Sequence, residues 1–168
     1  MGLKQITDLV NIGGTVTESA VNVFTQTQIG INLSPVNRQV FVITDVSFTS
    51  SEPQVLAGIT TSVTYQVTKT TQTGTIGANN PDLISRGQKF LFAGAAEHTW
   101  AETDFGGPQQ STGGRNDYLM ILATEDAFIS VQGSANITVR QADCRLTGYF
   151  ATADAATYQA LVLSELQN

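Results

Sequence analysis

The chain has 168 residues, with eight Lys plus Arg against fourteen Asp plus Glu, one His and one Cys, giving a net charge of −6. A single cysteine excludes an intramolecular disulfide, and one imidazole with one thiol cannot furnish a transition-metal centre of several nitrogen and sulfur ligands. The acidic balance, without a basic cluster, argues against nonspecific nucleic-acid binding, and no apolar run of about twenty residues is available to cross a bilayer as a helix.

Only 13% of the residues are charged, against roughly one quarter in ordinary soluble domains. The exposed polarity must come from Thr, Ser, Gln and Asn, groups that desolvate more cheaply than charges when a surface packs against a neighbour. The opening Met-Gly-Leu-Lys-Gln-Ile-Thr-Asp lacks the apolar core of a secretory signal, so the expected product is one made in a cytoplasm.

In chain order, residues 3–11 are expected to form a short turn of helix through Ile6, Leu9 and Val10, ended by Gly13 and Gly14. Val21, Val23, Thr25, Thr27, Ile29, Ile31 and Leu33 then share one parity, with Asn22, Gln26, Gln28 and Asn32 on the other. That alternation predicts one long strand, or two short ones broken at Gly30. Residues 39–43 are apolar on both parities before alternating through Val46 and Phe48, the pattern of a central strand buried on two sides.

Residues 59–67 carry the most regular alternation, with Ile59, Val63, Tyr65 and Val67 against Thr60, Ser62, Thr64 and Gln66, which predicts a strand with one wet face. Residues 89–92 and 97–102 are weaker strand candidates. Residues 118–122 and 127–131 are expected to pair as a hairpin across the acidic turn Glu125-Asp126, although that turn lacks the preferred glycine. Ile137 and Val139 lie on one parity and Ala142, Cys144, Leu146, Gly148 and Phe150 on the other, so a bulge or tight turn is expected near residues 140–142.

Asp154 is a suitable N-cap for a helix over residues 155–166, in which Ala155, Tyr158, Val162 and Leu166 make a stripe and Leu161 and Leu163 fall off it. A terminal helix apolar on more than one face must bury against a neighbouring subunit or in a groove of its own domain. Two glycine-rich polar stretches, residues 71–81 and 104–117, read as long loops. About eight strands at this spacing predict an all-β fold, an antiparallel β-sandwich or barrel. The expected organisation is an N-terminal arm over residues 1–20, a β-domain over 21–150 and a helical tail over 151–168.

The chemistry is sparse. His98 is the only imidazole available as a base, it adjoins no nucleophile motif, and Gly-x-Ser-x-Gly is absent. Asp104, Asn116 and Asp117 flank a loop without the spacing of a calcium site, and Gly113-Gly114-Arg115 is not a phosphate-binding loop. No catalytic residue, metal or cofactor is therefore assigned. One candidate ligand patch remains, in which Trp100, sharing a strand face with His98, stacks on a sugar while Glu102, Asn116 and Asp117 bond its hydroxyls.

The order of the runs, together with the closing segment Leu146-Thr-Gly-Tyr-Phe-Ala-Thr-Ala-Asp-Ala-Ala-Thr-Tyr-Gln-Ala-Leu-Val162, resembles the small single-jelly-roll structural proteins of viruses, most of all bacteriophage capsid, decoration or cement proteins. The resemblance implies a virion component, without enzymatic activity, that assembles into trimers or larger symmetric arrays with other capsid proteins. It also implies chain ends that grip neighbours, here through Ile6, Leu9 and Val10 and through Leu161, Leu163 and Leu166. The absence of a basic arm favours an outer decorating role over a lining that touches the genome, with no membrane contact. The alternative reading is a carbohydrate-binding or receptor-binding β-sandwich.

Overall fold

A computed structural model describes residues 2–94, 97–105 and 118–166. Among them are ten strands: β1 (Leu3–Gln5), β2 (Val10–Thr17), β3 (Thr25–Gly30), β4 (Gln39–Ser50), β5 (Thr61–Thr68), β6 (Leu83–Ala93), β7 (His98–Phe105), β8 (Met120–Leu122), β9 (Asp126–Ser134) and β10 (Gln141–Ala153). One helix, α1 (Ala155–Leu166), follows. Two five-stranded antiparallel sheets form a sandwich. The first runs β2-β10-β4-β8, with β1 also on β10, and the second runs β3-β9-β5-β6-β7.

The pairings are nested: β2 with β10, β3 with β9, β4 with β8, and β5 with β6. Folding a long hairpin in this way and wrapping it over two sheets gives a jelly roll, so the antiparallel sandwich expected from the sequence is present. The two strands beyond eight are additions at edges. β1 continues the β2 edge by pairing Leu3 to Gln5 with Ala153 to Ala151, and β7 extends the second sheet beyond β6.

Alternation decides which side chains meet between the sheets. Phe41, Ile43, Val63, Tyr65, Val67, Ile129, Val131 and Leu146 are essentially sealed from water, each worth about 1.5–3 kcal/mol for a large apolar side chain. The double-sided apolar run of β4 is explained by what lies on its other face. Val40 and Val42 join Ala123, Ala151 and Ala153 in a second cluster covered by Tyr158, Leu161 and Val162 of the helix. The helix therefore buries on the outer face of its own first sheet.

The N-terminal segment is strand where a turn of helix was expected. Ile6, Leu9 and Val10 have helical spacing, but Val10 to Thr17 pairs along the whole of Gly148 to Gln141. Gly14, expected to end the helix, lies inside β2, where a Cβ would sit 2.6 Å from Ile29 Cγ1 in the opposite sheet. The expected hairpin of residues 118–122 and 127–131 does not form. β8 pairs with β4 and β9 with β3 and β5, so the chain crosses between sheets at Glu125-Asp126, a turn without the glycine of a tight hairpin.

The long strand expected from Val21 begins only at Thr25. Asn22 sits at φ 61°, and Val21 and Val23 are exposed in the turn before it. Ile137 and Val139 likewise belong to a connection, and the strand starts at Gln141 with a register shift between Thr147 and Gly148. β5, expected to keep one wet face, is buried on both. Residues 70–76 fold back over its Gln66-Thr68 side, where Gln66 Nε2 donates to Gly74 O at 3.4 Å and Gln66 Oε1 accepts from Ile76 N at 3.0 Å.

Candidate functional site

The predicted ligand patch is partly assembled. The register Leu91↔Trp100, Lys89↔Glu102 and Ala93↔His98 puts His98, Trp100 and Glu102 on one face of β7, the parity that faces the first sheet. β7 is the edge strand, and Trp100 keeps 45% of its surface exposed. Lys89 occupies this patch. Its ammonium lies 5.9 Å from the Trp100 ring centre, 2.9 Å from Glu52 Oε1 and 3.9 Å from Glu102 Oε1. Tyr65 OH donates to the same Glu102 oxygen at 3.1 Å.

A cation over the indole and an exposed ion pair are each worth about 0.5–1 kcal/mol, so a ligand stacking on Trp100 from that side must displace Lys89. The sequence reading missed Lys89, Tyr65 and Glu52, although the parity of Lys89 with Leu91 in β6 was legible. Asn116, Asp117 and the Leu166 side chain lie outside the described residues.

The chain ends, where assembly contacts were expected, meet. β1 pairs with the last residues of β10, and Asp154 N donates to Gly2 O at 3.1 Å just before the helix begins. Asp154 caps that helix, its carboxylate accepting from Thr157 N at 2.8 Å. This bond, above all, holds the carboxyl below its ordinary 3.8. Ile6, Leu9 and Leu163 are 46%, 63% and 56% exposed. Val10 packs against the main core and Leu161 against the second cluster, so these two serve the fold.

The opposite end of β10 is a polar knot that the sequence did not announce. Buried Glu18 accepts from Gly133 N at 2.6 Å and Arg140 N at 2.8 Å. Asn22 and Asn136 exchange bonds through Asn22 Nδ2 to Asn136 O at 2.9 Å and Asn136 N to Asn22 Oδ1 at 3.0 Å. Gln54 Oε1 accepts from Ile137 N at 2.6 Å, and Arg140 Nη1 donates to Glu52 O at 2.7 Å. Gly133 makes room for this packing, since a Cβ there would lie 2.8 Å from Asn136 Nδ2. Three loops are thereby locked together.

Cys144 is buried between the sheets, and burial pushes its thiol up to about 12 against a weaker opposing bond with the Gly14 backbone. Among the described residues no group of three or more His, Cys, Asp and Glu is placed to hold a metal ion, and no helix is long and apolar enough to cross a membrane. The molecule is a jelly-roll β-sandwich with two additional edge strands and a helix across one sheet. Comparison with known protein families and with curated proteins finds no match to this chain.

Proposed function

We propose that the protein is a non-enzymatic structural component of a virus particle, of the bacteriophage capsid or decoration kind, that self-associates and stabilises a shell. The observation that carries this reading is the convergence of both chain ends on the second half of β10, with Ile6 and Leu9 exposed beside it and Leu163 exposed further along the helix that follows. Exposed aliphatic side chains on a surface otherwise poor in charge favour contact between copies, because little is desolvated without return. A closed symmetric assembly, a trimer or larger, satisfies such a surface. The proposed setting is the virion, after synthesis in the host cytoplasm, with other capsid proteins as partners and no direct contact with nucleic acid or membrane.

The test is sedimentation velocity over a range of concentrations on the wild type and on a Leu9→Glu/Leu163→Glu variant. Removing residues 1–14 is unsuitable, because it strips the strand pairing of Cys144 to Gly148. The reading expects a trimer or larger wild-type species and a monomeric variant with unchanged circular dichroism. A wild type that stays monomeric at every concentration and does not bind virus particles refutes it.

A further inference from the structure

We infer that the outward face of the second sheet carries a binding site for a neutral saccharide, on the opposite side of that sheet from the parity of Trp100. The site is a groove of about 390 Å³ lined by Asn22, Ser62, Thr64, Gln88, Gln132 and Ser134, with the Gly133 backbone at its wall. That volume falls within the range of small-ligand sites, roughly 300–1,000 Å³. Apart from Ala135, the lining side chains are uncharged hydroxyls and amides, so the groove offers donors and acceptors without selecting for an ion.

The floor is a central strand whose groove-facing side chains are without hydrogen-bond partners among the described residues. Ser62 and Thr64 belong to β5, which is bonded on both edges, to β6 and to β9. The side chains of Ser62, Thr64 and Gln132 make no hydrogen bond to another described residue and face the groove. Gln88 is oriented, since its Oε1 accepts from Arg86 Nη2 at 3.3 Å, leaving its NH₂ to donate outward. Asn22, held through both side-chain atoms by Asn136, fixes the wall nearest the polar knot.

An aromatic platform adjoins these groups. Phe90 stands directly across from Ser62 on the same face, and Phe92 lies one pleat further along. The two rings stack with centres 5.8 Å apart and planes 16° from parallel, and Phe92 is 45% exposed. A pyranose presents hydroxyls at its rim and C–H bonds on its faces, so one ligand can bond the hydroxyl and amide floor while laying a C–H face against an aromatic ring. Among the described residues no cation lines the groove, the Arg86 guanidinium being engaged by Gln88 and the Ile76 carbonyl, and an extended peptide pairs with a sheet edge, whereas this floor consists of central strands.

The test uses the full-length protein on an array of neutral oligosaccharides of glucose, galactose, mannose and N-acetylhexosamines, with sulfated oligosaccharides as charged controls. The strongest neutral binder is then titrated against ¹⁵N-labelled protein. The inference expects amide shifts concentrated at residues 62–64, 88–92 and 132–134. It also expects affinity to fall roughly five- to tenfold in Thr64→Val and in Phe92→Ala, about the loss of one hydrogen bond or one stacking contact, with Trp100→Ala unchanged. Gln132→Ala, a change at the groove surface, gives the same reading if either variant folds poorly. Absence of neutral binders, binding confined to sulfated sugars, or shifts centred on residues 98–102 overturns it. None of these outcomes depends on whether the protein assembles.

Discussion

Replacing Glu18 by alanine is expected to destabilise the domain by about 2–6 kcal/mol, because two buried main-chain donors, Gly133 N and Arg140 N, lose the carboxylate that accepts from them at 2.6 and 2.8 Å and each unsatisfied donor costs about 1–3 kcal/mol. Glu18 is 4% exposed, so water does not readily take its place. The Arg140 guanidinium is committed elsewhere, to Glu52 O and to the Thr138 carbonyl and hydroxyl oxygens, and does not compensate. Against a typical stability of about 5–15 kcal/mol, the loss is large.

Urea unfolding followed by circular dichroism measures it. With a slope of about 2 kcal/mol/M, the midpoint should fall by about 1–3 M. Glu18→Gln keeps one acceptor oxygen and should fall by about half as much. Glu52→Ala, whose exposed carboxylate meets Lys89 at 2.9 Å, is the control and should stay within about 0.5 kcal/mol. Hydrogen exchange supplies the local readout, with Gly133 and Arg140 amides losing protection in Glu18→Ala ahead of those in β5. A midpoint shift in Glu18→Ala no larger than that of Glu52→Ala refutes the reasoning.

Three further outcomes follow from the geometry. Cys144, raised by burial to about 12 from an ordinary 9.0, should resist alkylation at pH 8 in the native protein and react once urea unfolds it; because the folded thiol holds its proton longer, its contribution to stability is intact below pH 9 and is lost as pH climbs towards 12. Gly148→Ala should cost about 1–3 kcal/mol or prevent folding, since the new Cβ would lie 2.8 Å from Phe41 Cζ and closer still to the Val42 carbonyl oxygen, and thermal unfolding checks it. Asp154→Ala should fray the first turn of the helix, seen as faster exchange of the Thr157 amide. The wild type should show the same fraying in acid, because a carboxylate held below 3.8 contributes above that pH and is lost as pH falls through its lowered value.

Alternation exposed most of the strands, because in β4, β5 and β10 the core imposes a period of two on the sequence. It failed where local pattern and distant pairing compete. Ile6, Leu9 and Val10 fit a helical stripe as well as an edge strand, and only the long pairing with β10 decides between them. The Glu125-Asp126 neighbours looked like a hairpin because adjacent strands commonly pair, whereas nested wrapping sends β8 and β9 to different sheets. Of the candidate site, the parity of β7 predicted that His98 and Trp100 share a face. Nothing in the linear pattern could bring Glu18 to Gly133 and Arg140, partners 115 and 122 residues away.

The threonine-rich outward parity of β5 shows how a neutral strand face can be put to two uses. At its Gln66-Thr68 end, residues 70–76 seal it, and Gln26 helps by accepting from Gln72 N at 3.0 Å while donating to Thr68 Oγ1 at 3.4 Å. At its Ser62-Thr64 end the same parity, reached only from within the groove, forms its floor. Charged residues on this face would have resisted the first arrangement through desolvation, and apolar ones would have emptied the second of hydrogen-bonding groups. Hydroxyls and amides permit both, which gives the low charge content of the chain a structural reason that is independent of any contact between copies.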